Sequence, residues 1–78
     1  MIRELDAVVL THDIDEYGLE QGDIGAVVHC YSDGIAFEVE FVTADSRTIA
    51  LLTLDRTDIR PVGGKEVLHV RALAEAMV

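Results

Sequence analysis

Residue types that stabilise many small domains are scarce in this chain of 78 residues, which has no tryptophan, one proline and one cysteine. A lone cysteine, Cys30, cannot form an internal disulfide, so we expect a cytoplasmic protein. No apolar run approaches the roughly 20 residues of a membrane-spanning helix. The first six residues, MIRELD, also lack the apolar region of a signal peptide.

Basic side chains are scarce as well. Six are present against fifteen acidic ones, which gives a net charge of −9 at pH 7 with histidine neutral. The six are scattered, whereas proteins that bind nucleic acids or anionic membranes cluster lysine and arginine against phosphates. We therefore expect neither a nucleic acid nor a membrane among the partners.

The length restricts the chain to one domain with a thin core, since domains typically run about 50–250 residues. A chain this short buries only about 60% of the surface that its unfolded form exposes. A large enzyme with its own cofactor domain is therefore excluded, and stability should be modest.

What the sequence does contain is a series of short β-rich segments. Branched and aromatic residues predict strands at 6–10, 24–31, 35–42, 48–54 and 59–62. Asp33-Gly34 predicts a tight hairpin, residues 44–47 a second turn, and residues 55–58 a single helical or 3₁₀ turn. Pro61 places the fifth strand at a sheet edge or ends it there, because proline cannot donate to a ladder.

These elements predict an all-β fold. It is a small five-stranded SH3-like barrel over residues 1–62, with a long loop after strand 1. A short C-terminal extension, of strand or helix or both, follows over residues 63–78. Curling the sheet shields most of its edges. The rival OB-fold requires longer strands and a helix between strands three and four, for which the sequence has no room.

Alternation predicts which strand residues face the core. The third strand is expected to turn its odd-numbered residues inward, namely Ile35, Phe37, Val39 and Phe41. The second strand is expected to bury its even-numbered residues, namely Ile24, Ala26, Val28 and Cys30. On this interpretation Cys30 is a buried, unreactive thiol.

The loop over residues 11–23 is polar, acidic and far longer than the usual connection of about 4–6 residues. Ile14, Tyr17 and Leu19 are expected to pack inward and hold the loop against the core. Long loops in small domains often carry function, so this loop is the first candidate for a site.

The residues after Gly63-Gly64 differ in character from the barrel. Alternation over 66–71 indicates an extended piece, and apolar residues at helical spacing predict a helix of about two turns from Val70. An apolar extension of this kind packs either on its own barrel or on a partner.

The ordered combination of segments resembles a bacterial family of unknown function, domain-of-unknown-function family 4926. The resemblance spans residues 5–62 and rests on LDAVVLT at 5–11, GLEQGDIGAVV at 18–28, DGIAFEVEF at 33–41, the strand at 48–54 and DIRPV at 58–62. The turn at 44–47 departs from the family, in which Asp-Gly is more typical. The resemblance implies an SH3-like barrel similar to those of nitrile hydratase β-subunits and no established catalytic activity. It also implies an antitoxin-like protein encoded beside a partner that it binds.

Two groups of potential metal ligands have simpler structural interpretations. The carboxylates of the long loop could hold a hard cation, but their spacing does not match an EF-hand. His12, His29, His69 and Cys30 lack the paired spacing of zinc ligands. His29 and Cys30 are adjacent in a strand, so they point to opposite faces. We expect no metal and no cofactor.

Glu38 and Glu40 are the one carboxylate pair within a regular element. Their i, i+2 spacing would suit acid–base chemistry only if one of them lost its water. The alternating strand instead places both in solvent. No other residues form a nucleophile arrangement, so no catalytic residue is predicted.

The sequence therefore predicts a non-enzymatic, acidic protein-interaction module that binds a protein partner, in particular a basic one, or itself. An antitoxin-like partner of a neighbouring gene product is one form of this hypothesis. The alternative is an accessory subunit that supports a partner enzyme, and a metal-binding or catalytic small protein is a remote one. The candidate partner-binding residues are Asp13, Asp15, Glu16, Tyr17, Tyr31, Leu73 and Met77.

Overall fold

The computed structural model describes residues 2–73, which form an all-β domain. Its strands are β1 (Ala7–Leu10), β2 (Ile24–Cys30), β3 (Ala36–Val42), β4 (Thr48–Asp55) and β5 (Ile59–Pro61). One 3₁₀ turn, Asp15–Tyr17, lies in the β1–β2 loop. The five predicted strands are confirmed within one residue at each end. No helix of the described chain is long and apolar enough to cross a membrane.

The strands form one antiparallel sheet in the order β4-β3-β2-β1-β5. In a flat sheet of this order, β4 and β5 would lie about 19 Å apart. The three residues between Asp55 and Ile59 can bridge at most about 14 Å. The sheet must therefore curl until the end of β4 meets the start of β5, which makes the domain barrel-like.

Local hydrogen bonds hold the turn between β4 and β5. The Asp58 amide donates to the Asp55 carbonyl at 3.0 Å, an i to i+3 bond, and residues 56–58 form a single turn where a helical or 3₁₀ turn was predicted. The Asp55 side chain accepts hydrogen bonds from the Thr57 amide and hydroxyl at 2.8 and 2.6 Å. These local bonds hold the chain in a reversal, so no helix continues from it.

The core occupies the concave side of the sheet. The alternating pattern predicted the inner face of β3 correctly, because Phe37, Val39 and Phe41 are buried. Ile35 is the exception, since β3 begins one residue later and Ile35 is exposed in the β2–β3 turn. The remaining buried members of the core cluster are Val8, Leu10, Leu19, Val27, Ala50, Leu54 and Ile59.

The predicted inner face of β2 is wrong. Ile24, Ala26 and Val28 are exposed, whereas Gly25 and Val27 face the core. Both faces of β2 carry apolar residues, so alternation alone cannot assign them. Gly25 decides the orientation, because a Cβ at this position would lie 2.7 Å from the side chains of Phe41 and Val39. Only glycine lets these two core side chains approach the strand so closely.

A β-bulge restores Cys30 to the inner face. Val27 pairs with Val39, the register then shifts between Val27 and His29, and Cys30 pairs with Phe37. The extra residue reverses the alternation along the strand. Cys30 is therefore partly buried against the core, as predicted. The residues predicted to share its face, Ile24, Ala26 and Val28, are exposed instead.

The tail, residues 62–73, contains neither helix nor strand. Residues 66–71, predicted to be extended, belong to no strand; the helix predicted from Val70 is absent from residues 70–73, and the rest of that predicted helix lies outside the described residues. Side chains attach the tail to the barrel: the Arg60 guanidinium donates to both oxygens of Glu66 at 2.7 and 2.6 Å. This bond, with one from the Gly63 amide, lowers the pKa of Glu66 to about 2.

Candidate functional site

The β1–β2 loop is closed by a pair of backbone hydrogen bonds between Ile14 and Leu19, at 2.9 and 3.2 Å. Gly18 ends the intervening 3₁₀ turn with a φ of 69°, a conformation that glycine adopts without strain. Leu19 is buried in the core and Ile14 packs against it. Both were predicted to pack inward, and this is confirmed.

The acidic tip, Asp15–Tyr17, projects from this loop. Tyr17 is 42% exposed, so its predicted inward packing is wrong. Ile14 and Leu19 pair directly, which leaves the residues between them outside the core. The carboxylates of Asp15 and Glu16 are exposed and form no hydrogen bond or ion pair with any residue of the described chain. Three of the predicted partner-binding residues thus stand together in solvent.

The other loop carboxylates shape the backbone. Asp13 accepts a hydrogen bond from the Gln21 amide at 2.8 Å, and Asp23 accepts one from the Glu20 amide at 2.8 Å. Asp13 was predicted to bind a partner, and one of its oxygens is engaged within the loop. These side chains therefore hold the conformation that presents the acidic tip.

Arg71 joins the tail to the loop. Its Nε donates to Asp23 Oδ1 at 2.8 Å and its Nη2 to Asp23 Oδ2 at 2.5 Å. Nη2 also donates to the Gly18 carbonyl at 2.9 Å, and Nη1 lies 3.6 Å from Glu20 Oε2. This two-point contact matches the planar guanidinium to the carboxylate. It fixes the tail beside the loop, 48 residues away in sequence.

The electrostatics of this ion pair favour its charged form. The Arg71 and Asp23 side chains are only 23% and 18% exposed. Partial burial raises the pKa of Asp23, but the hydrogen bonds from Arg71 and from the Glu20 amide outweigh it, and the net pKa is lowered. Sequence reasoning missed Arg71 because it treated the basic residues as scattered. The available signal was that Arg71 is the one basic side chain of an otherwise mostly apolar segment, residues 67–74.

A groove of about 770 Å³ lies between the tail and the barrel. Its apolar walls come from both, with Leu19, Ile24 and Val42 on the barrel side and Leu73 on the tail side. Charged residues line it as well: Asp23, Asp45, Arg47 and Arg71. The structure thus brings predicted residue Leu73 to the base of the acidic loop. Met77, also predicted, lies outside the described residues.

Tyr31 stands apart from this group. It follows the far end of β2, about 20 Å along the strand from the loop. Its hydroxyl donates to Glu38 Oε2 at 2.6 Å, and the Thr53 hydroxyl donates to the same oxygen at 2.5 Å. The Thr53 bond and then the Tyr31 bond lower the pKa of Glu38. Tyr31 is therefore tied to β3 and does not share a surface with Tyr17.

His12 contacts two hydrogen-bond acceptors, one in the long loop and one in the β4–β5 turn. His12 Nδ1 lies 2.9 Å from the Asp13 carbonyl oxygen and Nε2 lies 2.7 Å from Asp58 Oδ1. Since both partners are acceptors, the doubly protonated ring fits best, and the Asp58 bond followed by the Asp13 bond raises the pKa of His12. Among residues 2–73, no three histidine, cysteine or acidic side chains are grouped to hold a metal ion.

Comparison with known proteins identifies the family but not an activity. No curated protein and no solved structure matches the chain. The model of one protein family, described as Domain of unknown function (DUF4926), matches residues 4–61. This range begins before β1 and ends with β5, so it covers the whole sheet and the acidic loop. With well over half of its length matched, the chain belongs to the DUF4926 family.

Proposed function

We propose that this chain is a non-enzymatic protein-interaction module that binds a basic protein partner through the acidic tip and the adjoining groove. The observation that carries the proposal is the acidic tip itself. It exposes two carboxylates without a partner in the described chain, together with a tyrosine ring, on the loop that lines an apolar groove. Apolar surface flanked by unpaired charge is typical of protein-binding sites.

The charge distribution supports a basic partner rather than an acidic one. The net charge of −9 creates a long-range field that attracts cationic surfaces and repels anionic ones. Electrostatic attraction of this kind mainly accelerates association, while the apolar groove supplies contact area that slows dissociation. The partner that fits best therefore presents lysine or arginine beside an apolar side chain.

Two biological forms of this module differ in their effect on the partner. An antitoxin-like protein would inhibit the activity of the neighbouring gene product, and an accessory subunit would stimulate it. We favour the antitoxin-like form, because a small acidic module suits neutralisation of a basic protein. Measuring the partner's activity with and without the chain distinguishes the two forms by sign.

The test is co-expression with the product of the adjacent gene, followed by size-exclusion chromatography at low and high NaCl. We expect a complex that weakens as salt screens the charges. Asp15→Asn combined with Glu16→Gln should weaken it, and Tyr17→Ala should weaken it further. A matched control, Glu4→Gln with Glu40→Gln, removes two charges elsewhere and should bind as the parent does. Absence of a complex, or equal weakening by test and control variants, would overturn the proposal.

A further inference from the structure

The edge of β4 is the longest open strand edge of the described sheet. β4 spans eight residues, Thr48–Asp55, and pairs with β3 on one side. No other described residue pairs with it, because the sheet order places β4 at one end. An open edge presents unpaired amide and carbonyl groups that can bind another strand.

β4 carries few of the features that protect edges against pairing. Residues 48–54, TIALLTL, contain no charge, proline or glycine. A single bulge at Ile49 interrupts the register with β3. Leu51, near the centre of the strand, is 57% exposed on the outer face opposite Glu40. An uncharged, branched strand of this length is well suited to β-sheet extension.

The charges at the two ends of β4 indicate what pairs with it. Arg47 precedes the strand and Asp55 ends it, each four residues from Leu51. The Arg47 guanidinium forms no ion pair within residues 2–73, and Asp55 Oδ2 accepts no hydrogen bond there. In an antiparallel pair of two β4 strands centred on Leu51, Arg47 of each copy faces Asp55 of the other. The bulge at Ile49 displaces Arg47 by one residue from the position directly opposite Asp55. The arginine side chain is long enough to span this offset.

We infer that β4 is the interface between two copies of this chain, which pair antiparallel about a two-fold axis at Leu51 to form a continuous ten-stranded sheet. The inference does not rest on the proposed function, although Arg47 also lines the groove that the proposed function uses. A two-fold axis makes the contact self-complementary and closed. The two Leu51 side chains then form a cross-strand apolar pair on the outer face.

Salt separates this contact from binding of a basic partner. Two copies of charge −9 repel each other, and this repulsion exceeds the attraction of two exposed ion pairs. Screening should therefore strengthen self-association, whereas it weakens binding of a basic partner. Light scattering at rising NaCl and protein concentration should show a dimer that gains population with salt.

Substitution of Leu51 tests the contact directly. Leu51→Lys places two like charges on the axis and should weaken dimerisation about tenfold or more. Val28→Lys is the matched control, since Val28 is an exposed (41%) apolar residue on β2, which is not at a sheet edge, and it lies outside the groove. Circular dichroism on both variants establishes that they fold.

The decisive measurement mixes two variants. Leu51→Lys and Leu51→Glu should each be monomeric alone, and an equimolar mixture should restore the dimer, because the axis then joins opposite charges. Restoration requires that the two residues at position 51 face each other. A parent protein that stays monomeric at high salt, a Leu51→Lys variant that still dimerises, or a mixture that stays monomeric would each overturn the inference.

Discussion

The two edges of the sheet are built differently. β5 has three residues, includes Pro61, which has no amide hydrogen to donate, and is held beside the tail by Arg60 and Glu66. β4 has eight residues, lacks proline and lysine, and exposes Leu51. Shortness, proline and a covering segment are the usual protections of an edge. One edge is therefore short, carries proline and is flanked by the tail, while the other is long and available for pairing.

The largest expected effect tests whether both edges depend on one core. Phe41→Ala removes a buried ring and should lower the free energy of unfolding by about 3–5 kcal/mol. Urea denaturation measures the loss, and hydrogen exchange should show amides of β4 and β5 losing protection together. Val42→Ala is the control, because Val42 follows Phe41 on β3 and its side chain is exposed. If β5 kept its protection in Phe41→Ala, the two edges would not share one cooperative core.

A smaller effect should distinguish the side of the sheet where the tail lies from the edge of β4. Arg71→Gln breaks the bonds to Asp23 and Gly18 and should cost about 1–2 kcal/mol, between the values for exposed and buried charged pairs. Because Arg71 holds the tail, hydrogen exchange should increase in the tail and loop while β4 is unchanged. Arg56→Gln, at an exposed turn position, is the matched control. Equal effects of both variants would show that the tail is not held by Arg71.

The pH response probes the turn that joins the edges, through the contact of His12 with Asp58. The pKa of His12 lies above its ordinary value of 6.5, first because of the Asp58 bond. The stabilisation of the folded state by protonated His12 is therefore fully present below pH 6.5, and it is lost as the pH rises through the folded-state pKa of His12. The effect should be smaller than that of Arg71→Gln, since the His12 side chain is 52% exposed.

As the pH rises through that window, the urea midpoint of the parent protein should fall, and the midpoint of His12→Gln should fall less. His69→Gln, which removes an exposed histidine of the tail, should keep the slope of the parent. A slope that survives in His12→Gln would assign the pH response to another group.

The smallest effect is expected at the open edge itself. Leu51→Thr keeps a branched side chain on an exposed strand position, so the monomer should change in stability by less than about 0.5 kcal/mol. Val42→Thr provides the comparison on β3. Thermal denaturation at low protein concentration measures both. A large loss in Leu51→Thr alone would mean that Leu51 already packs within the monomer.

Sequence reasoning succeeded where a local pattern has one interpretation. β3 alternates apolar and acidic residues, so its inner face follows directly, and Asp33-Gly34 marks the turn before it. β2 shows the opposite case, because apolar residues occupy both of its faces. Its orientation depends on the approach of Phe41 and Val39 to Gly25, and the bulge at Val28 then reverses the pattern.

The candidate site was predicted in part. The acidic loop was identified from its length and composition, and Asp15, Glu16 and Tyr17 do stand exposed together. Tyr31 was assigned to the same function, yet β2 separates it from the loop. Arg71 was missed: its position in a mostly apolar segment distinguishes it from the other basic residues, but only the tertiary structure identifies Asp23 as its partner.

The sequence by itself determined the strand segments, the acidic character and the position of the long loop, because each depends on neighbouring residues. The tertiary structure decided which face of β2 is buried, how the tail meets the loop and which sheet edge stays open. These features depend on contacts between residues far apart in the chain. Local periodicity describes how side chains alternate, but only packing selects the side that meets the core.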